Sequence, residues 1–138
     1  MQTFMSIILL LTFYNKFPTK PLETDHLFKR WVVNAPSNPG SFSDLKEIEF
    51  ILSNSEDAEK LPMHLKYGGI SFQKDGVFIE HWWNQCGTGN PPSSKSSEWS
   101  ISDNGIEKLI TISGSNNWNG IYLIDKLDSE TLHLIRKN

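Results

Sequence analysis

A single cysteine, Cys86, occurs among the 138 residues. One thiol can form neither an intrachain disulfide nor a Cys-rich zinc site, so the sequence excludes a disulfide scaffold and a zinc ribbon. Clusters of basic residues are absent as well: Lys and Arg number 13 against 16 Asp and Glu, for a formal charge of −3. Without a basic patch, nucleic acid is not an expected partner.

The chain also lacks an apolar run long enough to span a bilayer, which takes roughly 20 residues. Residues 1–15 carry no charged side chain and hold a shorter apolar run, of the size expected for a signal-peptide core of about 7 to 15 residues. No Lys or Arg precedes the run, and no small-x-small cleavage motif follows it. We expect residues 1–20 to be an export segment of a secreted, periplasmic or envelope protein; an uncleaved N-terminal arm is the alternative.

Aromatic residues are abundant, with five Trp, eight Phe and three Tyr. They supply more apolar surface than a disordered chain would carry. A domain of this size buries roughly 68% of the surface that its unfolded chain exposes, so it needs no disulfide or metal to fold. The sequence therefore predicts one globular domain over residues 24–138.

The domain reads as a succession of strands joined by turns. Residues 46–53 alternate apolar and polar side chains as a half-buried strand does, although a short capped helix also fits them. No helix of crossover length is predicted, so the strands are expected to pair antiparallel in chain order. Closing such a meander into a barrel removes its exposed edges. The expected fold is an all-β, eight-stranded antiparallel up-and-down barrel, with strands near 30–35, 46–53, 67–74, 77–84, 96–102, 106–113, 118–127 and 130–137.

The turns predict which side chains face the barrel axis. Asp75-Gly76 suits a two-residue type I′ turn, which would set Phe72 opposite Ile79 and therefore turn Phe78 outward. A two-residue turn at Asp128-Ser129 would likewise fix which residues face each other in the last hairpin. The predicted inward residues are Ile70, Phe72, Ile79, His81, Trp83, Ile110, Ile112, Ile121, Leu123, Leu132 and Leu134. The outward Phe78 and Trp82 would then need cover, from a protein partner, self-association or another part of this chain.

Four short motifs resemble those of small bacterial lipocalin-like domain proteins, which have a calycin-type β-barrel. They are Leu27-Phe28-Lys29-Arg30-Trp31, F-x-x-D-G at residues 72–76, W-x-G-x-Y-x-I at 118–124, and T-L-H-L-I-R at 131–136. Lipocalins carry G-x-W on the first strand and an Arg near the last strand that packs over this Trp. The resemblance implies Trp31 and Arg136 in these structural roles, with Lys29 where the family has Gly. Strand counting also predicts Trp31 and Arg136 at one barrel end, in a cation–π contact.

Polar residues give few signs of catalysis. The predicted register points Glu80 away from its neighbour His81, so the two would not form an acid–base pair. His26, His64 and His133 lack metal-ligand spacing, and Cys86 lies in a Gly-rich loop without a nearby activating cation. Gly87-Thr88-Gly89 lacks the Lys-Ser/Thr pair and the helix that a phosphate loop requires. We expect no cofactor, no metal and no enzymatic activity.

Two functional classes stay open beside the less favoured hydrolase or isomerase. The favoured hypothesis is binding of a small hydrophobic or amphipathic ligand inside the barrel, where eight strands leave room for at most one small ligand, with His81 as its polar anchor. The alternative is an interaction module that binds protein or polysaccharide through its outer face or loops. The candidate ligand-binding residues are Phe72, Ile79, His81, Trp83, Trp99, Ile110, Ile112 and Leu123.

Overall fold

The computed structural model describes residues 24–35, 41–83 and 93–137. The predicted export segment, Cys86 and the loop 87–89 lie outside these residues. The strands are β1 Arg30–Val33, β2 Glu47–Leu52, β3 Gly69–Phe72, β4 Val77–Trp82, β5 Ser93–Asp103, β6 Lys108–Ser113, β7 Gly120–Leu127 and β8 Thr131–Arg136. The helical elements are two short α-helices, α1 Glu56–Glu59 and α2 Met63–Lys66, and two 3₁₀ turns, η1 Thr24–Leu27 and η2 Phe42–Asp44.

The eight strands form a closed barrel in which every described pairing is antiparallel. This confirms the predicted fold class, and residues 47–52 are a strand rather than a helix. Strands β3 to β8 follow one another as a meander, but β1 and β2 exchange places: β1 lies between β2 and β3, and β2 pairs with β8. The prediction that the first strand pairs with the last to close the barrel was therefore wrong.

The exchange is made by the connection 53–68, which joins β2 to β3 across the outer side of β1. Ser55 caps α1, its hydroxyl accepting a hydrogen bond from the backbone N–H of Ala58 at 3.2 Å, as N-cap serines do. Ala58 then buries the outward-facing Val32 and Ile51 of β1 and β2. The apolar outer faces of these two strands are thus explained by the segment that crosses them.

The first tight hairpin has a different turn from the one predicted. Gly76 N–H donates to Gln73 O at 3.1 Å and Gly76 has a φ of 85°, which makes a three-residue loop with its left-handed residue at Gly76. Phe72 therefore faces Phe78 instead of Ile79. Because a shift of one residue moves a whole strand face to the other side, Phe78 is fully buried inside the barrel and His81 lies on the outer wall.

A second register change occurs in the last hairpin. The pairing shifts between Ile124 and Lys126, where β7 carries one extra residue, the hallmark of a β-bulge. Tyr122 and Ile124 consequently face inward, and the predicted inward positions of Ile121 and Leu123 were wrong. The predicted inward positions on β6 and β8 are confirmed: Ile110, Ile112, Leu132 and Leu134 are buried in the core.

Large side chains fill the barrel interior. They form one continuous cluster whose members are at most 9% exposed, in keeping with the dense packing of protein cores. Its largest members are Trp31, Phe50, Phe72, Phe78, Trp99, Trp118 and Tyr122. The space along the axis is thus taken up by the protein's own aromatic residues.

Candidate functional site

The barrel has two unlike ends, which we call the base and the mouth. The base is the end where β1 begins, with the turns 73–76, 104–107 and 128–130. The mouth is the opposite end, with residues 41–46, 63–68 and 114–119. A cavity of about 120 Å³ opens at the mouth. Its lining is Val33, Phe42, His64, Leu65, Gly68, Gly69, Glu80, His81, Trp82, Asn117 and Trp118.

Glu80 is the one carboxylate in this lining. It is half-buried, two residues after the inward-facing Phe78 on β4. Ser115 donates its hydroxyl hydrogen to one carboxylate oxygen at 2.9 Å, and the Asn117 side-chain amide donates to the other. Both donors come from the turn between β6 and β7. The turn thereby fixes the position of the carboxylate.

The Ser115 hydroxyl also orders the aromatic wall of the cavity. This side chain is 3% exposed and accepts a hydrogen bond from the backbone N–H of Trp118 at 3.1 Å. The indole of Trp118 packs against two rings, with its centroid 4.9 Å from that of Phe42 and 5.7 Å from that of Phe50. Carboxylate and indole are thus held by one connected set of contacts, so their relative position is largely preorganised.

Arg136 connects several backbone segments at the mouth. Its guanidinium donates to the carbonyl oxygens of Leu45, Asn119 and Phe42 at 3.0 to 3.2 Å, and it lies 4.8 Å from the ring centroid of Tyr122. The predicted contact with Trp31 was wrong. The backbone N–H of Arg136 donates to the carbonyl oxygen of Lys46, just before β2, whereas Trp31 faces Leu52 at the end of β2. Six residues, or about 20 Å of strand, therefore separate the two levels.

His81 makes its main contact on the outer wall. Its Nε2 and the Ser71 hydroxyl lie 3.0 Å apart. Burial lowers the pKa of His81, and the nearby positive charge of Arg30 lowers it further. Arg30 in turn donates to the carbonyl oxygens of Tyr67 and Gly68, at 2.9 and 3.0 Å. This cluster anchors the chain where it enters β3.

The structure brings together only part of the predicted ligand site. Phe72, Trp99, Ile110 and Ile112 meet inside the barrel, but as components of the packed core. Of the remaining candidates, Ile79 and Leu123 lie on the outer wall, and Trp83 follows the end of β4, beside Tyr67. His81 borders the mouth cavity, although its imidazole pairs with Ser71 on the outer wall.

The two residues predicted to form an outward patch are also separated. Phe78 is in the core, so its assignment to the surface was wrong, whereas Trp82 is 37% exposed at the cavity rim.

Apart from His81 and Arg136, sequence reasoning missed the residues that build the mouth. Glu80 was assigned to the outer wall because the turn before it was taken to be one residue shorter. Ser115 and Asn117 lie in a polar stretch that reads as an ordinary turn, and nothing in the sequence connects this stretch with β4. Phe42 is in a segment without apolar periodicity. The W-x-G-x-Y motif included Trp118, but it was interpreted as part of a strand and not as part of a site.

Two further properties of the described chain concern function. Within residues 24–35, 41–83 and 93–137, no three His, Cys, Asp or Glu side chains are grouped so that they could hold a metal ion. No helix in the same residues combines the length and apolar character needed to cross a membrane. Compared with known proteins, the chain matches no family model, no curated protein and no solved structure.

Proposed function

We propose that this protein binds a small amphipathic molecule in the mouth cavity and does not transform it. The observation that carries the proposal is the contrast within the barrel: aromatic side chains fill the axis, while a fixed carboxylate and an aromatic wall flank a cavity at the mouth. Ligand sites typically combine apolar walls with a few convergent polar groups. The mouth has this composition.

The size of the cavity limits the ligand. Pockets for drug-sized ligands measure about 300 to 1,000 Å³, whereas this cavity measures about 120 Å³. An engineered apolar cavity of about 150 Å³ holds benzene, which has six non-hydrogen atoms. A ligand of about five or six such atoms therefore fits. At no more than about 1.5 kcal/mol per atom, its binding free energy stays below about 9 kcal/mol, so we expect a dissociation constant in the micromolar to millimolar range.

A relationship to lipocalin-like proteins forms part of this proposal. The closed eight-stranded antiparallel barrel supports it, as do the motifs around Trp31 and Trp118. The exchanged positions of β1 and β2, and the distance between Trp31 and Arg136, depart from the family pattern. The resemblance therefore supports binding of a ligand at one end of the barrel, but it does not identify the class of ligand.

A binding role fits the mouth and its surroundings better than hydrolysis does. Ser71 and His81 are paired like a nucleophile and its base, but a catalytic base must become an imidazolium ion, usually with a third group orienting it. Here the neighbouring charge is the cation Arg30, which disfavours that imidazolium. We therefore assign Ser71 and His81 a structural role.

The proposal is tested by measuring binding of n-butanol, n-butylammonium and butyrate by ligand-observed NMR. We expect saturable binding of at least one probe to the full chain. Val33→Phe adds bulk to the lining and should abolish this binding, whereas Leu123→Phe, on the outer wall, should leave it unchanged. Circular dichroism checks that both variants fold. Saturable binding of none of the three probes to the wild type would overturn the proposed function.

A second candidate function rests on exposed residues around the mouth. Met63 is 52% exposed, and Tyr67 and Trp82 are each 37% exposed. They favour the hypothesis of an interaction module that binds protein or polysaccharide. If it holds, Tyr67→Ser combined with Trp82→Ser should abolish capture of a partner without lowering the melting temperature. Retained capture, or a large loss of stability, would contradict this role.

Export of the protein is proposed on the sequence of residues 1–20 alone. Mass spectrometry of the native N-terminus tests it. A chain that begins after this segment supports export, and a cytoplasmic chain that begins at Met1 contradicts it.

A further inference from the structure

We propose that the mouth cavity selects small alkylammonium ions, with the Glu80 carboxylate binding the ammonium group and the aromatic wall covering the alkyl chain. This inference rests on the proposed function and specifies the ligand class of the same site. It assigns Glu80 as the specificity-determining residue.

The first argument is the unused hydrogen-bonding capacity of Glu80. An ionised carboxylate has about four acceptor positions on its two oxygens. The described residues fill two of them, with the neutral donors Ser115 and Asn117. An alkylammonium group carries three N–H donors and a positive charge. It can therefore supply the further donors and the charge that this carboxylate lacks.

The second argument concerns three cations, Lys95, Arg136 and Arg30. Lys95 lies opposite Glu80 on β5, but its side chain is exposed and forms no ion pair with Glu80 among the described residues. Arg136 donates to three backbone carbonyls and packs on Tyr122. Arg30 donates to two carbonyls on the outer wall. None of these three cations neutralises Glu80 through a described contact.

The third argument comes from the aromatic lining. Phe42, Trp82 and Trp118 all border the same cavity as Glu80. Aromatic ring faces attract cations within about 6 Å, and Trp does so most strongly. The same rings offer apolar surface to an alkyl chain. One end of the ligand thus meets negative charge, and its body meets rings that tolerate positive charge.

An anion of the same size meets the opposite conditions. Its carboxylate would approach Glu80, and like charges at short distance repel each other strongly where water is partly excluded. A neutral alcohol retains hydrogen bonding and apolar contact but gains nothing from the charge. The expected order of affinity is therefore n-butylammonium first, n-butanol second and butyrate last.

The test compares dissociation constants of the three probes for the wild type and two variants. In the wild type we expect n-butylammonium to bind at least tenfold more tightly than n-butanol. Glu80→Gln should reduce this ratio to below threefold. Glu130→Gln removes an exposed carboxylate at the base and should leave the ratio unchanged. A wild-type ratio near one, or a high ratio that survives Glu80→Gln, overturns the inference.

Salt dependence provides a second readout without any variant. Raising the salt concentration from 50 to 500 mM should weaken n-butylammonium binding severalfold and leave n-butanol binding unchanged, because salt screens charge interactions. Equal salt dependence of both probes would also overturn the inference. If n-butanol binds while the charge preference is missing, the proposed function survives and only the choice of ligand class fails. If no probe binds, both fail.

Discussion

The base and the mouth close the same barrel by different means. At the base, η1 places Leu27 under the core, and its carbonyl oxygen accepts a hydrogen bond from the Trp31 indole at 3.1 Å. The Trp99 indole likewise donates to Gln73 O at 2.8 Å. At the mouth, closure depends on Arg136, on Ser115 and on a half-buried carboxylate. The base thus closes over packed apolar side chains, whereas the mouth is held by polar groups and contains a cavity.

If the mouth binds a ligand as proposed, the residues for stability and those for binding lie at different ends of the barrel. Burying large side chains supplies most of the free energy of folding, and the base and the axis contain those side chains. A carboxylate near apolar walls contributes little to folding because its desolvation offsets its hydrogen bonds. Glu80 links β4 to the turn between β6 and β7, and the proposed ligand would give this carboxylate a second role.

Replacing a tryptophan at each end gives the largest expected contrast. Trp31→Ala removes a fully buried side chain at the base and should lower the free energy of unfolding by about 3 to 5 kcal/mol. Trp82→Ala removes a partly exposed one at the mouth and should cost about 1 kcal/mol. Urea denaturation measures both values. Equal losses would remove the distinction between the two ends.

Substituting two glycines compares a position where β3 packs closely against β1 with a position in an open turn. Gly69 has a φ of 100°, and an added Cβ would lie 2.1 Å from Trp31 O; Gly105 has a φ of 84° with open space around it. Gly105→Ala should cost about 1 kcal/mol from the backbone conformation alone. Gly69→Ala adds a clash and should cost about 3 kcal/mol or more. Thermal melts that rank the variants in reverse order would contradict the close approach of β3 to β1.

Arg136→Ala tests how the mouth is held. It removes three hydrogen bonds from a charged group, and we expect a loss of about 2 kcal/mol in urea denaturation. Lys137→Ala is the matched control, because this exposed neighbour forms a surface ion pair with Glu107, and such pairs contribute about 0 to 1 kcal/mol. If the two variants are equally stable, Arg136 does not fasten the mouth.

The smallest effect concerns pH. The folded state lowers the pKa of His81, so below its ordinary value of about 6.5 the unfolded chain binds the proton more readily. Protonation therefore costs stability as the pH falls from 7.5 to 5.5, and His81→Gln should reduce this loss. Backbone hydrogen bonds lower the pKa of Asp128. Its contribution to stability is therefore lost only in more acidic solution, below the range in which His81 acts. Identical pH dependence of wild type and variant in thermal melts would contradict the burial of His81.

These comparisons also show what the sequence could predict. Strand positions and barrel closure follow from alternating apolar residues and from turn residues, which are local signals. The facing of β4 depends on whether the loop before it has two residues or three, and Asp75-Gly76 fits both. The bulge in β7 and the exchange of β1 and β2 depend on packing between distant segments. Because the cavity is built from such segments, the sequence located parts of the core but, of the cavity lining, only His81 as a candidate site residue.

The most direct test of the account is the response of the tryptophan indole N–H signals to n-butylammonium in two-dimensional NMR. Trp82 and Trp118 border the cavity, whereas Trp31 and Trp99 lie towards the base. The account predicts saturable shifts of the first two signals and none of the other two. Shifts of Trp31 or Trp99 without Trp118 would place the ligand inside the barrel and contradict binding at the mouth.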